Sequence, residues 1–311
     1  MNKESTRTKA NRGKPEKFQK SIPLITRFLA FSEKFTPLRK VIAITKATTT
    51  PVKIIGFKLL LLAIILLNSS ATPSKSDFKV DTIVIDAGHG GKDPGTHGVA
   101  AKEKDITLKI ALKVGKYIEE NVPGVKVLYT RKDDRYIALD ERADIANRAK
   151  ADLFISIHAN ALSRPEVYGT ETYVMGLHKS EGNMDVAKRE NSVILLDEKY
   201  EERYEGFDPN SVESYILFSL TQSAYQESSL IFADKIESQF KQRVGRRSLG
   251  VKQAGFWVLW RTAMPSVLIE VGFLTNNKEE NFLKSENGQD LIASGIYRAF
   301  KDYKSHIESI N

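Results

Sequence analysis

Apolar residues recur in two rhythms downstream of residue 79. Short β-branched runs at 82–87 (TIVIDA), 125–130 (VKVLYT), 153–157 (LFISI), 171–175 (ETYVM) and 267–271 (VLIEV) read as strands. Between them Ile106, Ile110, Val114 and Ile118 recur at helical spacing after Glu103, and Ala143, Ala146 and Ala149 do so after Asp140. Strands alternating with helices predict an α/β fold, a largely parallel sheet covered by helices on both faces. Residues 179–244 interrupt this rhythm. They are charged and helical, a helical insertion with Ile216, Leu220, Ala224 and Ile231 as its expected buried stripe.

Upstream the pattern is different. Residues 59–67 read LLLLAIILL, an apolar run of about nine, or about fourteen counted from Ile54 across Lys58, where a membrane helix needs about 20. The run fits the apolar region of a secretory signal, and small residues at Ser69 and Ala71 make cleavage after Ala71 the expectation. More than 50 residues precede the run, so an uncleaved anchor is the alternative. The chain thus divides into a basic extension, 1–78, with a signal or anchor at 54–67, and a domain at 79–305 that carries the insertion.

Charge follows the same division. The net charge is +8, but residues 1–58 hold fourteen Lys and Arg against three Asp and Glu, which leaves the remainder slightly acidic. The domain therefore has no basic surplus for nucleic acid, and membrane contact is expected only through the N-terminal segment. The absence of cysteine excludes disulfides, thiolate metal sites and a cysteine nucleophile.

The chemistry gathers at strand ends. Five glycines surround His89 and His97 in VIDAGHGGKDPGTHG. His89 follows TIVIDA, His158 follows LFISI and Glu270 closes VLIE, and open α/β sheets bind ligands beyond the carboxyl ends of their strands. Glu103 opens the first helix, where a carboxylate is favoured by the helix dipole, and the glycine-rich loop is long enough to return it to His89. Two histidines and a glutamate form the ligand set of catalytic zinc sites that keep a fourth position for water, which leaves Glu270 as the base. Other chemistries lack their motifs: GHGGKD has no third glycine of a dinucleotide fingerprint, and GxxxxGK[ST], GxSxG and HExxH are absent. His97 and Asn160 are candidates for facing substrate, Arg142 for a sheet-edge salt bridge, and Trp257 and Trp260 for packing; His178 and His306 read as bland.

The stretches VIDAGHGGKDPGTHG, EKDITLKIA, TRKDDRYIALDERADIAN, FISIHANA, GTETYVM and MPSVLIEVGFLTN, in this order over residues 79–304, resemble the zinc-dependent N-acetylmuramoyl-L-alanine amidases of bacterial cell walls. The resemblance implies one Zn2+ per chain bound by His89, Glu103 and His158, Glu270 as catalytic acid/base, and a mostly parallel, roughly six-stranded sheet. It implies peptidoglycan as substrate, cleaved between N-acetylmuramic acid and L-alanine in wall remodelling or daughter-cell separation, and export to the cell envelope, in the periplasm. A peptidoglycan-binding module without catalysis would be expected to have lost one of the four polar residues, and all are present; a zinc hydrolase of another wall amide is separable by its products. The insertion, with its acidic stretch at 195–211, resembles those of relatives whose active site is covered until a protein activator binds, one insertion carboxylate taking the open metal position.

Overall fold

The computed structural model describes residues 79–177, 180–220 and 224–310. The expected signal or anchor at 54–67, the site after Ala71 and His178 lie outside them. In chain order the elements are β1 (Thr82–Ala87), α1 (Glu103–Asn121), β2 (Lys126–Tyr129), α2 (Leu139–Ala149), β3 (Leu153–Asn160), β4 (Thr170–Met175) and α3 (Glu181–Asn191). A 3-10 turn (Ser192–Leu196), α4 (Tyr200–Arg203), α5 (Val212–Leu220), α6 (Gln226–Gln239) and a π turn (Phe240–Val244) follow. β5 (Ser248–Ala254), α7 (Trp257–Trp260), β6 (Ser266–Phe273), α8 (Asn277–Lys284) and α9 (Glu286–Ile310) complete the domain. Among the described residues no helix is long and apolar enough to cross a membrane.

The six strands form one mixed sheet in the order β2-β1-β3-β6-β4-β5. β1, β2, β3 and β6 are mutually parallel, β4 runs antiparallel to β6, and β5 pairs parallel with β4. From β1 the chain crosses outward to β2 and then returns past β1 to β3, so the crevice between β1 and β3 is the point where strand order reverses. Side chains alternate across the pleat: Ile83, Ile85 and Ile155 join one core, while Val84, Phe154 and Leu268 join the other. α1, α6 and α9 cover the first face through Ile110, Val114, Phe232, Ile236, Ile296 and Phe300. α2, α3 and α7 cover the second, with Ala146, Met184, Ala187 and Trp257.

The insertion is divided between the two faces. Its last helix, α6, belongs to the core of the first face, whereas α3 to α5 pack over the second. The expected continuous stripe does not form. Ile216 and Ala224 are exposed and Ile231 is only half-buried, because α5 and α6 are separate helices whose inward faces are set by Tyr215 and Phe218 in one and Phe232, Ala233 and Ile236 in the other. The side chain of Leu220 lies outside the described residues. Trp257 and Trp260 stack with Phe207, Phe218 and Tyr204, tying α7 to the insertion as packing residues.

Candidate metal centre

β1 stops at Ala87 and the chain turns sharply through residues with positive φ: His89 at 62°, Gly90 at 127° and Gly91 at 58°. His158 and Glu270 sit opposite one another in register on β3 and β6. Both strands run farther than their apolar cores suggest, to Asn160 and Phe273, since pairing between them continues past a bulge after His158. The glycine-rich loop folds back as its length allows. Thr96 accepts the Glu103 backbone N–H at 2.9 Å and donates its own to Glu103 Oε2 at 2.8 Å, so the first residue of α1 arrives beside His89.

His89, Glu103, His158 and Glu190 each offer a ligand atom, all four buried and all four atoms within 4.8 Å of one another. His158 Nδ1 lies 3.1 Å from Glu103 Oε1 and 2.9 Å from Glu190 Oε2. His89 Nε2 lies 3.0 Å from Glu103 Oε2 and 3.2 Å from Glu190 Oε2, yet neither contact has hydrogen-bond geometry, and His89 Nε2 and Glu190 Oε2 remain buried without a hydrogen-bond partner. Buried polar atoms are costly to leave unpaired. Two imidazole nitrogens and two carboxylates aimed at one point are the donor set a single divalent metal ion needs, and the residues fit one.

Supporting contacts orient each donor. His89 Nδ1 lies 2.7 Å from Asp93 Oδ2. A carboxylate only accepts, so Nδ1 carries the proton, and when the ring gives up its second proton Nε2 is the nitrogen left bare for metal. Glu103 Oε1 also accepts the Ala159 N–H at 2.9 Å. Two glycines make room. A Cβ at Gly88 would stand 2.5 Å from His158 Nε2, and one at Gly95, with φ of 66°, would stand 2.6 Å from both Glu103 Oε2 and His89 Cδ2. Beside the cluster a cavity of about 290 Å³ opens between Lys92, Asp93, Arg189 and Glu190.

The buried charges hold one another in place. Burial raises the Glu103 carboxyl most strongly and the Glu190 charge adds to it, but the His89 charge together with the contacts from His158 and His89 outweighs them and lowers it to about 2. Burial disfavours charged His158, yet the Glu190 and Glu103 carboxylates raise it to about 9. Glu270, fully buried, is pushed well above the usual carboxyl range by burial first and then by the Glu190 charge, with Arg189 opposing. Its Oε2 has no hydrogen-bond partner, and its Oε1 lies 3.4 Å from Arg189 Nη2.

Of the residues singled out in the sequence, the structure brings together His89, Glu103 and His158, with Glu270 one strand away. Asn160 is buried beside them, its amide donating to Glu171 at 3.2 Å and accepting from the Ala161 N–H at 2.7 Å. His97 is exposed on the loop, outside the cluster. Glu190 and Asp93 escaped the sequence reading. Glu190 precedes the acidic stretch at 195–211; its signal was a carboxylate on the same helical face as Met184, Val186 and Ala187, all buried. Asp93 is four residues from His89, inside a segment that reads as a turn.

A family model described as N-acetylmuramoyl-L-alanine amidase matches residues 83–302. The N-acetylmuramoyl-L-alanine amidase AmiA of Escherichia coli (strain K12) is 31% identical over 224 residues, covering 71% of this chain and 75% of that protein. The catalytic domain of CwlV, an N-acetylmuramoyl-L-alanine amidase from Bacillus (Paenibacillus) polymyxa var. colistinus, superposes with a TM-score of 0.54 at 31% identity, covering 72% of this chain and 97% of that one. The CwlD amidase from Clostridioides difficile, solved in complex with the GerS lipoprotein, does so with a TM-score of 0.55 at 28% identity, covering 73% and 99%.

Proposed function

The chain belongs to the N-acetylmuramoyl-L-alanine amidase family, and on that premise we propose that His89, Glu103 and His158 hold one zinc ion with which Glu270 hydrolyses peptidoglycan. The bond cut joins the lactyl carbonyl of N-acetylmuramic acid to the amino group of the stem L-alanine, in wall remodelling or daughter-cell separation. The observation that carries this reading is the convergence of His89, Glu103 and His158 on one buried point, with Glu270 in register beside His158.

Zinc supplies a Lewis acid that polarises the carbonyl and lowers the pKa of water. The residues do the rest. Asp93 keeps the His89 proton on Nδ1, and Glu103 bridges the two histidines. Glu270 takes a proton from the attacking water and returns it to the leaving nitrogen, so hydroxide joins the carbonyl carbon as the C–N bond breaks. A carboxyl kept above its usual range by burial first of all is suited to hold that proton.

Glu190 lies among the ligand atoms, so the arrangement described is a covered, resting form. A protein partner that draws α3 away would clear Glu190 from the donor cluster and admit water beside Glu270. The related CwlD was solved with a lipoprotein partner, which supports one here. Export to the periplasm, by a signal cleaved after Ala71 or by an uncleaved anchor, is supported by the apolar run at 59–67 and by a substrate that lies outside the membrane.

Glu270→Ala tests the chemistry. The variant should keep its zinc, one per chain, and lose about 10²–10⁴-fold in wall hydrolysis; cleavage at the wild-type rate would refute the assignment. Wild-type products should carry free lactyl carboxyls and new N-terminal L-alanine, whereas released acetate or D-alanine would assign a different wall amide.

A further inference from the structure

Two arginines that ligate nothing account for the least expected feature of the centre, a histidine in the left-handed region. His89 has φ of 62°, a conformation that a side chain with Cβ adopts only when its surroundings impose it. Arg142, from α2, donates from Nη2 to the His89 carbonyl at 2.6 Å, from Nη1 to the Ala87 carbonyl at 2.7 Å and to Asp86 at 2.8 Å, and from Nε to the Ile137 carbonyl at 2.8 Å. Arg131, from the loop after β2, donates from Nε to the same Ala87 carbonyl at 2.9 Å and from Nη2 to the Gly88 carbonyl at 2.8 Å and the Lys104 carbonyl at 2.8 Å. Thr107 adds its hydroxyl to the Gly88 carbonyl at 2.9 Å.

The carbonyls of Ala87, Gly88 and His89 are thus all drawn toward two buried cations. Three successive carbonyls pinned to one side leave the chain little rotational freedom at His89. We infer that Arg142 and Arg131 are positioning residues that hold the His89 backbone left-handed, and so aim Nε2 at the metal. This rests on the metal reading above for its ligand, but it concerns how the ligand is held. It also gives a task to TRKDDRYIALDERADIAN, which contributes both arginines and none of the donor atoms. Lysine cannot replace either residue, because a point donor cannot span the carbonyls that a planar guanidinium reaches together.

The test is metal binding by full-length Arg142→Lys and Arg131→Lys. Zn2+ affinity is read by competition with a chromophoric chelator, the Co2+ visible spectrum reports donor geometry, and melting of the chelator-stripped protein reports the fold. Each variant should melt below wild type but still in one cooperative transition, because buried carbonyls lose a donor, bind Zn2+ about 10–100-fold more weakly, as partners that orient a ligand typically cost, and shift the Co2+ bands. Unchanged affinity and spectrum in a folded variant would overturn the inference. Should a lysine variant fail to fold, Thr107→Val decides, since it removes one hydrogen bond to the loop and keeps both guanidinium groups. A several-fold weaker Zn2+ affinity with a Co2+ shift supports the clamp; wild-type values refute it. If wild-type protein binds neither metal, the metal reading itself fails, which is a separate result.

Discussion

Gly88 faces the ring of His158 so closely that one methyl group decides whether the ligand fits. A Cβ there would meet Cε1 and Nε2 at 2.5 Å. Both neighbours are parts of a buried ring, so the clash can be relieved only by moving His158 off its position. Gly88→Ala is therefore expected to fold, since alanine keeps the backbone N–H that donates to the Ile157 carbonyl of β3 at 3.0 Å, but to lose metal in elemental analysis; a variant that retained one zinc per chain would contradict this. Asp93 acts through charge instead of space. Asp93→Asn replaces an acceptor with a group that can donate, which weakens the preference for the Nε2-bare tautomer of His89, and about a tenfold loss of Zn2+ affinity is expected by chelator competition. At positions 88 and 95 the glycines of the loop are thus room for the protein's own ligands.

At the level of elements, α3 and the 3-10 turn after it bring Glu190 to the centre and line the cavity beside it. Ser180 caps α3 by accepting the Asn183 N–H, and Asn191 at its other end donates to the Gly255 carbonyl at 2.8 Å and accepts the Trp257 N–H at 2.9 Å. Asp197, just past the turn, fastens the cover to the loops around His89. It accepts from the Tyr136 hydroxyl at 3.0 Å and the Tyr204 hydroxyl at 2.9 Å and lies 3.5 Å from Lys92 Nζ, while Lys92 also donates to the Leu196 carbonyl at 2.6 Å. Glu190→Gln removes the charge that competes for the metal, and Asp197→Asn weakens the fastening. Both are expected to raise wall hydrolysis by the purified chain without a partner, Glu190→Gln the more, and unchanged rates in folded variants would mean that α3 does not limit access. Within the acidic stretch at 195–211 it is Asp197 that makes these contacts, while the insertion carboxylate among the donor atoms, Glu190, sits upstream of it.

Across the whole molecule the buried charges link metal, proton and stability. In protein stripped of metal, His158 is raised from 6.5 to about 9, so its contribution is fully present below pH about 6.5 and is lost as pH rises through about 9. Glu103 is lowered from 4.5 to about 2, so its contribution is present above pH about 4.5 and is lost as pH falls through about 2. Stripped protein should melt highest between pH about 4.5 and 6.5. Saturating zinc requires neutral imidazoles and so removes the alkaline loss: at 100 times Kd it adds about 2.7 kcal/mol, and the gap in Tm between loaded and stripped protein should widen from pH 6 to pH 9. A gap that closed over that range would show that the histidines are not the groups that the metal deprotonates.

The alternation of apolar runs determined that β1, β3 and β6 carry His89, His158 and Glu270 to one edge of a sheet, because strands connected through crossovers end on the same side. Helical spacing after Glu103 likewise determined that its carboxylate starts a helix at that edge. These are local rules, and they were legible without coordinates. Glu190, the pairing of Asp93 with His89, the clamp from Arg131 and Arg142, and the division of the insertion between two faces were decided only by tertiary structure. Which acid of a charged segment reaches a metal, or which arginine finds a carbonyl, depends on how far a helix is rotated against a sheet that lies distant in sequence. No period along the chain encodes that rotation; the packing of α3 against Trp257 and of α2 against β1 sets it.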